Sequence, residues 1–153
     1  RDPENRCVAM LNEEQETFQE TRRVEAGNFA AAGQIAASFK NTLRKLGVAS
    51  PVVRRVAIAS YEAEINLAIH SWGGFMQLRI YPDKIHLLVE DVGPGIADIE
   101  LAMQEGYSTA SEEVRMLGFG AGMGMPNMKR CADLFEIGSV PGKGTSISMS
   151  FAI

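Results

Sequence analysis

The first of two consecutive helical patterns begins near residue 28 and strongly constrains how this chain can fold. Apolar residues recur there at steps of three and four, the spacing of one face of an α-helix. They are Phe29, Ala32, Ile35, Ala36, Phe39, Leu43 and Leu46. Asn28 stands where a helix cap is expected, and Gly47 stands where a helix commonly ends. We therefore expect an amphipathic helix between these two residues, with its apolar face buried against another layer.

A second long helix is predicted from about Val52 to Ser71. Ser50-Pro51 supplies an N-cap followed by a first-turn proline, and Gly73-Gly74 ends the pattern. These two helices form the helical layer of the predicted architecture, which has a sheet as its other layer.

Short segments rich in β-forming residues supply that layer. Phe75–Tyr81 and Lys84–Glu90 flank the turn residues Pro82-Asp83, which predicts a hairpin. Further strands are predicted over 18–26, 135–140 and 145–151, and shorter helices over 98–104 and 125–134. This order of elements predicts an α+β two-layer sandwich, in which a mixed sheet carries helices on one face.

The length of 153 residues fits a single domain. We assign that domain to residues 18–153 and interpret the polar, acidic residues 1–17 as a loose tail. Residues 106–121 form a long segment without a clear periodic pattern. Segments of this length in compact domains are often functional lids.

Composition argues against several classes of function. The net charge of −4 gives no electrostatic support for binding nucleic acid. No apolar run approaches the roughly 18 residues that a transmembrane helix needs, so no membrane association is expected. Cys7 and Cys131 are isolated, as in a cytoplasmic protein with reduced thiols. With two histidines, a zinc site is not expected.

The first polar group with chemical potential lies on the second predicted helix. Glu62, Asn66 and His70 are spaced four apart, which places them along one helix face. A carboxylate one turn from a carboxamide can serve as a base beside a magnesium ligand, because Mg²⁺ prefers oxygen and usually takes few protein ligands. Glu64 falls on the opposite side. A solvated helix face is the alternative interpretation, and a lone helical histidine such as His70 is usually structural.

A second group follows the strand that ends near Glu90. It reads Asp91-Val-Gly93-Pro-Gly95-Ile96. A carboxylate at a strand end can accept a hydrogen bond from an exocyclic amine, and the glycines allow a flat base to approach the backbone. The alternative is an ordinary turn.

The third group places four glycines in seven residues directly before a helix: Gly118, Gly120, Gly122 and Gly124. Exposed backbone N–H groups at a helix N-terminus bind phosphate without a basic side chain. A flexible linker is the alternative, although the segment has no serine and a helix follows at once. The dinucleotide fingerprint and the Walker A motif are both absent from the chain.

Together these groups resemble the GHKL superfamily of ATPases and kinases, which has the Bergerat fold. E-x-x-x-N on a helix, D-x-G-x-G-I, a glycine-rich run and G-x-G-T correspond to its N, G1, G2 and G3 boxes. In this chain they lie at Glu62–Asn66, Asp91–Ile96, Gly118–Gly124 and Gly142–Thr145. The resemblance covers about residues 20–153 and is specific because four boxes occur in the right order.

Within that superfamily the chain is similar to the bacterial anti-sigma regulatory serine kinases, and closest to the switch-kinase branch. The supporting segments are Gly106–Thr109, Gly122–Pro126 and Lys129-Arg130-x-x-Asp133. No segment resembles the phosphotransfer helices of sensor histidine kinases or the transducer domain of gyrase. Where kinases of this group can carry an arginine that faces the γ-phosphate, this chain has Gly120-Ala121, and Arg115 or Lys143 are the candidate replacements.

The resemblance implies a role for each matching residue. Glu62 would be the base that activates a partner's serine, Asn66 would hold Mg²⁺, and Asp91 would bind the adenine amino group with support from Thr145. Further ATP-binding residues would be Gly93, Gly95, Ile96, Gly118, Gly120, Gly122, Met123 and Gly124.

The implied function is an ATP-dependent serine/threonine protein kinase that phosphorylates a small antagonist protein of the STAS type. A sigma factor and a second copy of this chain are further partners that the resemblance suggests. Two alternatives stay open: a module that binds ATP and a partner without transferring phosphate, and the ATP-binding domain of a sensor histidine kinase.

Overall fold

The computed structural model describes residues 16–105 and 124–153. Within these residues a five-stranded sheet has the strand order β1-β2-β3-β5-β4, with helices packed on one face. The strands are β1 (Phe18–Val24), β2 (Gly74–Ile80), β3 (Lys84–Asp91), β4 (Leu134–Val140) and β5 (Gly144–Ala152). The helices are α1 (Gln34–Lys45), α2 (Ser50–His70), α3 (Ile99–Ala102) and α4 (Gly124–Cys131). The α+β two-layer sandwich predicted from the sequence is confirmed.

The sheet is antiparallel at every pairing between the described strands, so the prediction of a mixed sheet was wrong. Both hairpins are connected by short turns, which dictate antiparallel neighbours. Between β1 and β2 the chain runs along the sheet through α1 and back through α2. It therefore returns to the same end of the sheet at which β1 finished. Val24 at the end of β1 is accordingly paired with Gly74 at the start of β2.

The first helix begins later than its apolar pattern indicated. Phe29–Ala31 form only a 3-10 turn, and the Asn28 side chain makes no capping hydrogen bond. Gly33, with φ of 96°, has a left-handed backbone conformation that separates this turn from α1, which starts at Gln34. The end of the helix is as predicted, since the Gly47 N–H bonds to the Arg44 carbonyl with φ of 78° at Gly47.

The N-terminus of α1 is capped by a side chain from α2. The buried Glu64 carboxylate accepts hydrogen bonds from the backbone N–H groups of Ile35, at 3.2 Å, and Ala36, at 3.0 Å. These donors belong to the first helical turn, where no intrahelical partner exists. Glu64 thus lies away from the Glu62 face, as the helical spacing predicted, and locks the two helices together.

The helix α2 is the central element of the helical layer. It packs against α1 on one side and α4 on the other, and it also contacts β1, β3 and β5. It begins with Ser50 as its first residue and Ala49 as N-cap, so Ser50 is not the predicted cap, while Pro51 does lie in the first turn. No helix among residues 16–105 and 124–153 is long and apolar enough to cross a membrane.

Alternation along the strands buries one face of the sheet beneath these helices. In β5, every second residue from Thr145 to Phe151 is buried. The largest fully buried side chains of the core are Phe39, Leu43, Met76, Leu78, Ile85, Leu87, Met128, Met149 and Phe151. The core therefore lies between α1, α2 and α4 and the inner face of the sheet.

The last helix is shorter than predicted, because α4 ends at Cys131 and Leu134 is the first residue of β4. The Asp133 N–H bonds to the Ser150 carbonyl at 2.9 Å, which draws the chain out of the helix and into the sheet. The predicted tail, apart from residues 16 and 17, and the predicted lid at 106–121 lie outside the described residues.

Candidate functional site

An open pocket lies between α2 and the strands β3 and β5, beside the turn that follows Asp91. Its empty volume of about 400 Å³ includes space that is open to solvent. The lining residues are Ala63, Asn66, Leu67, His70, Val89, Asp91, Gly95, Ile96, Thr145 and Ile147. Apolar walls with polar groups converging from two elements suit a flat heterocycle with one polar edge.

The pocket brings together five of the residues singled out from the sequence for cofactor binding: Asn66, Asp91, Gly95, Ile96 and Thr145. They come from α2, from the end of β3 and the turn after it, and from β5. Gly93 lies in the same turn, where its N–H bonds to the Lys143 carbonyl at 3.0 Å.

The Asp91 carboxylate is held in a fixed orientation at the end of β3. Its Oδ1 accepts a hydrogen bond from the Thr145 backbone N–H at 3.0 Å. Burial raises the pKa of Asp91 above its usual value, and the Thr145 hydrogen bond opposes that shift. Among the described residues only the Thr145 N–H hydrogen bonds this carboxylate, and Asp91 lines the pocket.

Two glycines allow the β4–β5 turn to lie directly against the Asp91 turn. A Cβ on Gly144 would overlap the Asp91 carbonyl oxygen. Gly95 has a φ of 75°, and a Cβ there would stand 2.6 Å from the Val140 carbonyl oxygen. The G1 and G3 boxes are therefore a single packed unit in which neither glycine can be replaced without a backbone shift.

Ser139 on β4 joins these two turns and was missed from the sequence. Its hydroxyl accepts a hydrogen bond from the Ile96 N–H at 2.7 Å. The same hydroxyl lies 3.1 Å from the Gly144 carbonyl and 2.9 Å from the Thr145 hydroxyl. Ser139 pairs with Thr145 across the β4–β5 ladder, and only knowledge of that register could have pointed to it.

The predicted face of α2 is divided between two environments. Asn66 and His70 line the pocket, whereas Glu62, one turn earlier, is not among the lining residues and contacts α4. The Asn127 side-chain amide donates to Glu62 Oε1 at 3.4 Å. Burial lowers the pKa of His70 below its usual value, which favours the neutral ring.

The glycine run is described only at its last member. Gly124 is the first residue of α4, and a Cβ on it would stand 3.3 Å from Glu62 Oε2. Gly118, Gly120, Gly122 and Met123 lie outside the described residues, as does Arg115, so their roles stay predictions. Lys143, the other candidate for the missing arginine, lies in the β4–β5 turn at the Asp91 end of the pocket.

Residues 37–153 match the family of histidine kinase-, DNA gyrase B- and HSP90-like ATPases. The chain belongs to this family, and the GHKL resemblance seen in its motifs is confirmed.

Its relatives lie in the switch-kinase branch, as the resemblance predicted. The chain is 31% identical over 112 residues to the serine/threonine-protein kinase RsbT of Bacillus subtilis, covering 71% of this chain and 78% of that protein. It is 38% identical over 108 residues to the anti-sigma F factor of Caldanaerobacter subterraneus subsp. tengcongensis, covering 65% of this chain and 72% of that one. A solved chain of the SiaB-SiaC complex from Pseudomonas aeruginosa has the same fold, with a TM-score of 0.52 and 8% identity over 100% of this chain and 99% of that chain.

Proposed function

We propose that this protein is an ATP-dependent serine/threonine protein kinase that phosphorylates a small partner protein in a partner-switching system. The observation that carries the proposal is the pairing of two features on α2. Asn66 faces the same pocket as Asp91, and Glu62 lies one helical turn before it. Similarity to RsbT, a serine/threonine kinase by name, supports transfer of phosphate to a protein hydroxyl.

Adenine is the part of ATP that suits the pocket beside Asp91. The base would lie against Ile96 and Ile147, while the free oxygen of the Asp91 carboxylate accepts a hydrogen bond from the exocyclic amine. Guanine carries a carbonyl at the corresponding position, and two facing acceptors repel. Asp91 would thus select ATP over GTP.

Asn66 suits a magnesium site because it presents one hard oxygen at the edge of the pocket. The described residues contain no group of three acidic, histidine or cysteine side chains that could hold a metal by themselves. Mg²⁺ commonly uses one or two protein ligands together with substrate phosphates, so a single carboxamide is a sufficient contribution. When bound, Mg²⁺ neutralises charge on the β- and γ-phosphate oxygens.

Glu62 would act on the proton of the acceptor hydroxyl. The serine oxygen forms a bond to the γ-phosphorus while the bond from that phosphorus to the β,γ-bridging oxygen breaks. The bridging oxygen keeps the electron pair and leaves with ADP, and the hydroxyl proton passes to the Glu62 carboxylate. Positioning and charge stabilisation provide most of the catalysis in such transfers, and the base contributes about 10²–10⁴-fold.

The phosphoacceptor that we propose is a small antagonist protein of the STAS type. A sigma factor is a second proposed partner, because several relatives are named anti-sigma F factors, and a homodimer is the proposed assembly. The proposed location is cytoplasmic, in keeping with the two isolated cysteines of the sequence and with these partners.

A binding module without phosphate transfer is the second candidate. The names of the anti-sigma F factor relatives favour it, since sequestration of a sigma factor requires binding alone. This candidate predicts that Asn66 and Asp91 matter and that Glu62 does not.

Glu62→Gln and Asn66→Ala separate the two candidates. Glu62→Gln keeps the size of the side chain and removes its basicity, so phosphate incorporation into an antagonist protein from the same organism should fall about 10²–10⁴-fold with little change in ATP affinity. Asn66→Ala removes the proposed metal ligand, so Mg²⁺-dependent ATP binding and transfer should fall together. Both are measured with radiolabelled ATP and acid-stable phosphoprotein, because phosphoserine survives acid.

Glu90→Gln is the matched control, since Glu90 is a partly exposed carboxylate near the end of β3 whose side chain hydrogen bonds only with Ser146 among the described residues. It should transfer phosphate at the wild-type rate. Wild-type transfer by Glu62→Gln would exclude the base mechanism and leave the binding module as the function.

A further inference from the structure

A line of four polar side chains connects the proposed base, through α4, to Glu105 in the segment after α3. The Asn127 amide nitrogen donates to Glu62 Oε1 at 3.4 Å. Arg130 donates to the Asn127 amide oxygen at 2.6 Å, and its other terminal nitrogen donates to Glu105 Oε1 at 2.6 Å. Asn127 and Arg130 are three residues apart on α4, the spacing at which helical side chains meet.

The chemistry of its two neighbours fixes which way the Asn127 amide points. A guanidinium has only donors, so the group facing Arg130 must be the amide oxygen. A carboxylate has only acceptors, so the group facing Glu62 must be the amide NH₂. Rotation of the amide by 180° would set donor against donor and acceptor against acceptor. Arg130 therefore helps to orient the Asn127 amide so that its NH₂ group points toward Glu62.

We propose that Asn127 is a positioning residue that holds the Glu62 carboxylate through Oε1 and leaves Oε2 to receive the acceptor's proton. The inference rests on the proposed function of Glu62. Oε2 is the oxygen that lies over Gly124, 3.3 Å from where a Cβ would stand. Because Gly124 begins α4, Oε2, for which the described residues supply no hydrogen-bond donor, lies at the N-terminal end of that helix.

The Glu62 carboxylate needs a hydrogen bond such as the one from Asn127 to hold it in one orientation. Its terminal torsion has broad, roughly two-fold preferences, so the carboxylate of a half-buried side chain is not oriented by rotamer preference alone. The 3.4 Å contact is at the long end of hydrogen bonding.

The test uses Asn127→Asp and Asn127→Leu, with Lys129→Ala as the control on the same helix. Lys129 is exposed and makes no hydrogen bond or ion pair with the other described residues. The readout is ADP release from Mg·ATP with water as the phosphoryl acceptor, which needs no partner protein, followed against pH. Melting temperatures establish that each variant is folded.

Asn127→Asp places a second carboxylate against Glu62, and neighbouring carboxylates retain a shared proton to higher pH. The acid limb of its kcat profile should move up by about one pH unit or more. Asn127→Leu should lower kcat about tenfold, less than the roughly 10²–10⁴-fold loss expected when the base itself is removed. KM for ATP should stay within about twofold for both variants, and Lys129→Ala should match the wild type.

Glu62→Gln distinguishes failure of this inference from failure of the proposed function. If Glu62→Gln leaves ADP release unchanged, the role of Glu62 as a base is wrong. If Glu62→Gln slows the reaction while both Asn127 variants keep the wild-type rate and pH profile, Asn127 is only structural and the inference is overturned. A second readout does not depend on turnover: the side-chain amide NMR signals of Asn127 should shift in Glu62→Gln, and unchanged signals would also overturn it.

Discussion

The Asp91 carboxylate lowers the stability of the folded protein when it is ionised, yet it is the proposed hydrogen-bond acceptor for ATP. Burial raises its pKa, which means that the ionised form is less favourable in the folded chain than in the unfolded chain. The contribution of Asp91 to the free energy of unfolding is therefore fully present below the pKa of the unfolded chain, and it is lost as the pH rises through the pKa of the folded chain. Above the folded pKa, the ionised Asp91 is a charge that a hydrogen-bond donor on a ligand would satisfy.

Asp91→Asn should accordingly have opposite effects on binding and on stability. Losing a hydrogen bond to a charged acceptor costs about 1.5–3 kcal/mol, so ATP affinity should fall roughly 10- to 150-fold. Without nucleotide, the variant should melt above the wild type at neutral pH, and this advantage should shrink in acid as wild-type Asp91 becomes protonated. Titration calorimetry and melting curves at several pH values measure both.

The control for Asp91→Asn is Asp83→Asn at the opposite end of β3, where the side chain is exposed in the β2–β3 turn. It should alter neither quantity. If Asp91→Asn leaves ATP affinity unchanged, Asp91 does not bind adenine and is only a turn residue.

The helix α2 serves the fold and the site with different faces. Asn66 and His70 line the pocket, Glu62 lies one turn before Asn66 against α4, and Glu64 caps α1 from the buried side. This division follows from helical geometry, since residues two apart point to different sides while residues four apart share one. A single element thus ties the position of the proposed base to the packing of the helical layer.

Glu64→Ala should destabilise the protein because it leaves two buried N–H groups of α1 without an acceptor. Hydrogen bonds to charged groups contribute about 1.5–3 kcal/mol, and a lost helix cap typically costs about 1 kcal/mol. We expect the free energy of unfolding in urea to fall by about 1.5–3 kcal/mol. Glu25→Ala removes an exposed glutamate and should change it by less than about 0.5 kcal/mol. Equal midpoints for the two variants would contradict the capping role.

Nucleotide should stabilise the folded domain as a unit, because the pocket is built from α2, β3 and β5 together. A ligand that binds only the folded state at about 100 times its Kd adds about 2.7 kcal/mol. For a chain of this length that corresponds to a rise in Tm of roughly 5–10 °C. The measurement is a thermal melt with Mg·ATP, with Mg·GTP as the matched control. Identical melts with and without millimolar ATP would exclude the nucleotide site.

The type and order of most elements could be predicted from the sequence because the signals are local. Helical periodicity, the Pro82-Asp83 turn and the glycine that ends α1 depend on neighbours within a few residues. The same holds for the motif residues: Asp91 follows a strand and precedes a turn, and Glu62 and Asn66 share a helix face. Their convergence was inferred by resemblance, and the pocket brings Asn66 and Asp91 together as that resemblance implied.

Other features depend on contacts between distant segments and could not be predicted. Glu64 caps a helix 29 residues away, Ser139 binds an N–H 43 residues away, and Asn127 reaches a carboxylate 65 residues away. Each contact requires the strand order, the pairing register and the packing of α2 between α1 and α4. The antiparallel pairing of β1 with β2 likewise depends on α1 and α2, which bring the chain back to the end of the sheet where β1 finished. These choices depend on the joint packing of many side chains, which no local pattern encodes, so only the folded chain reveals them.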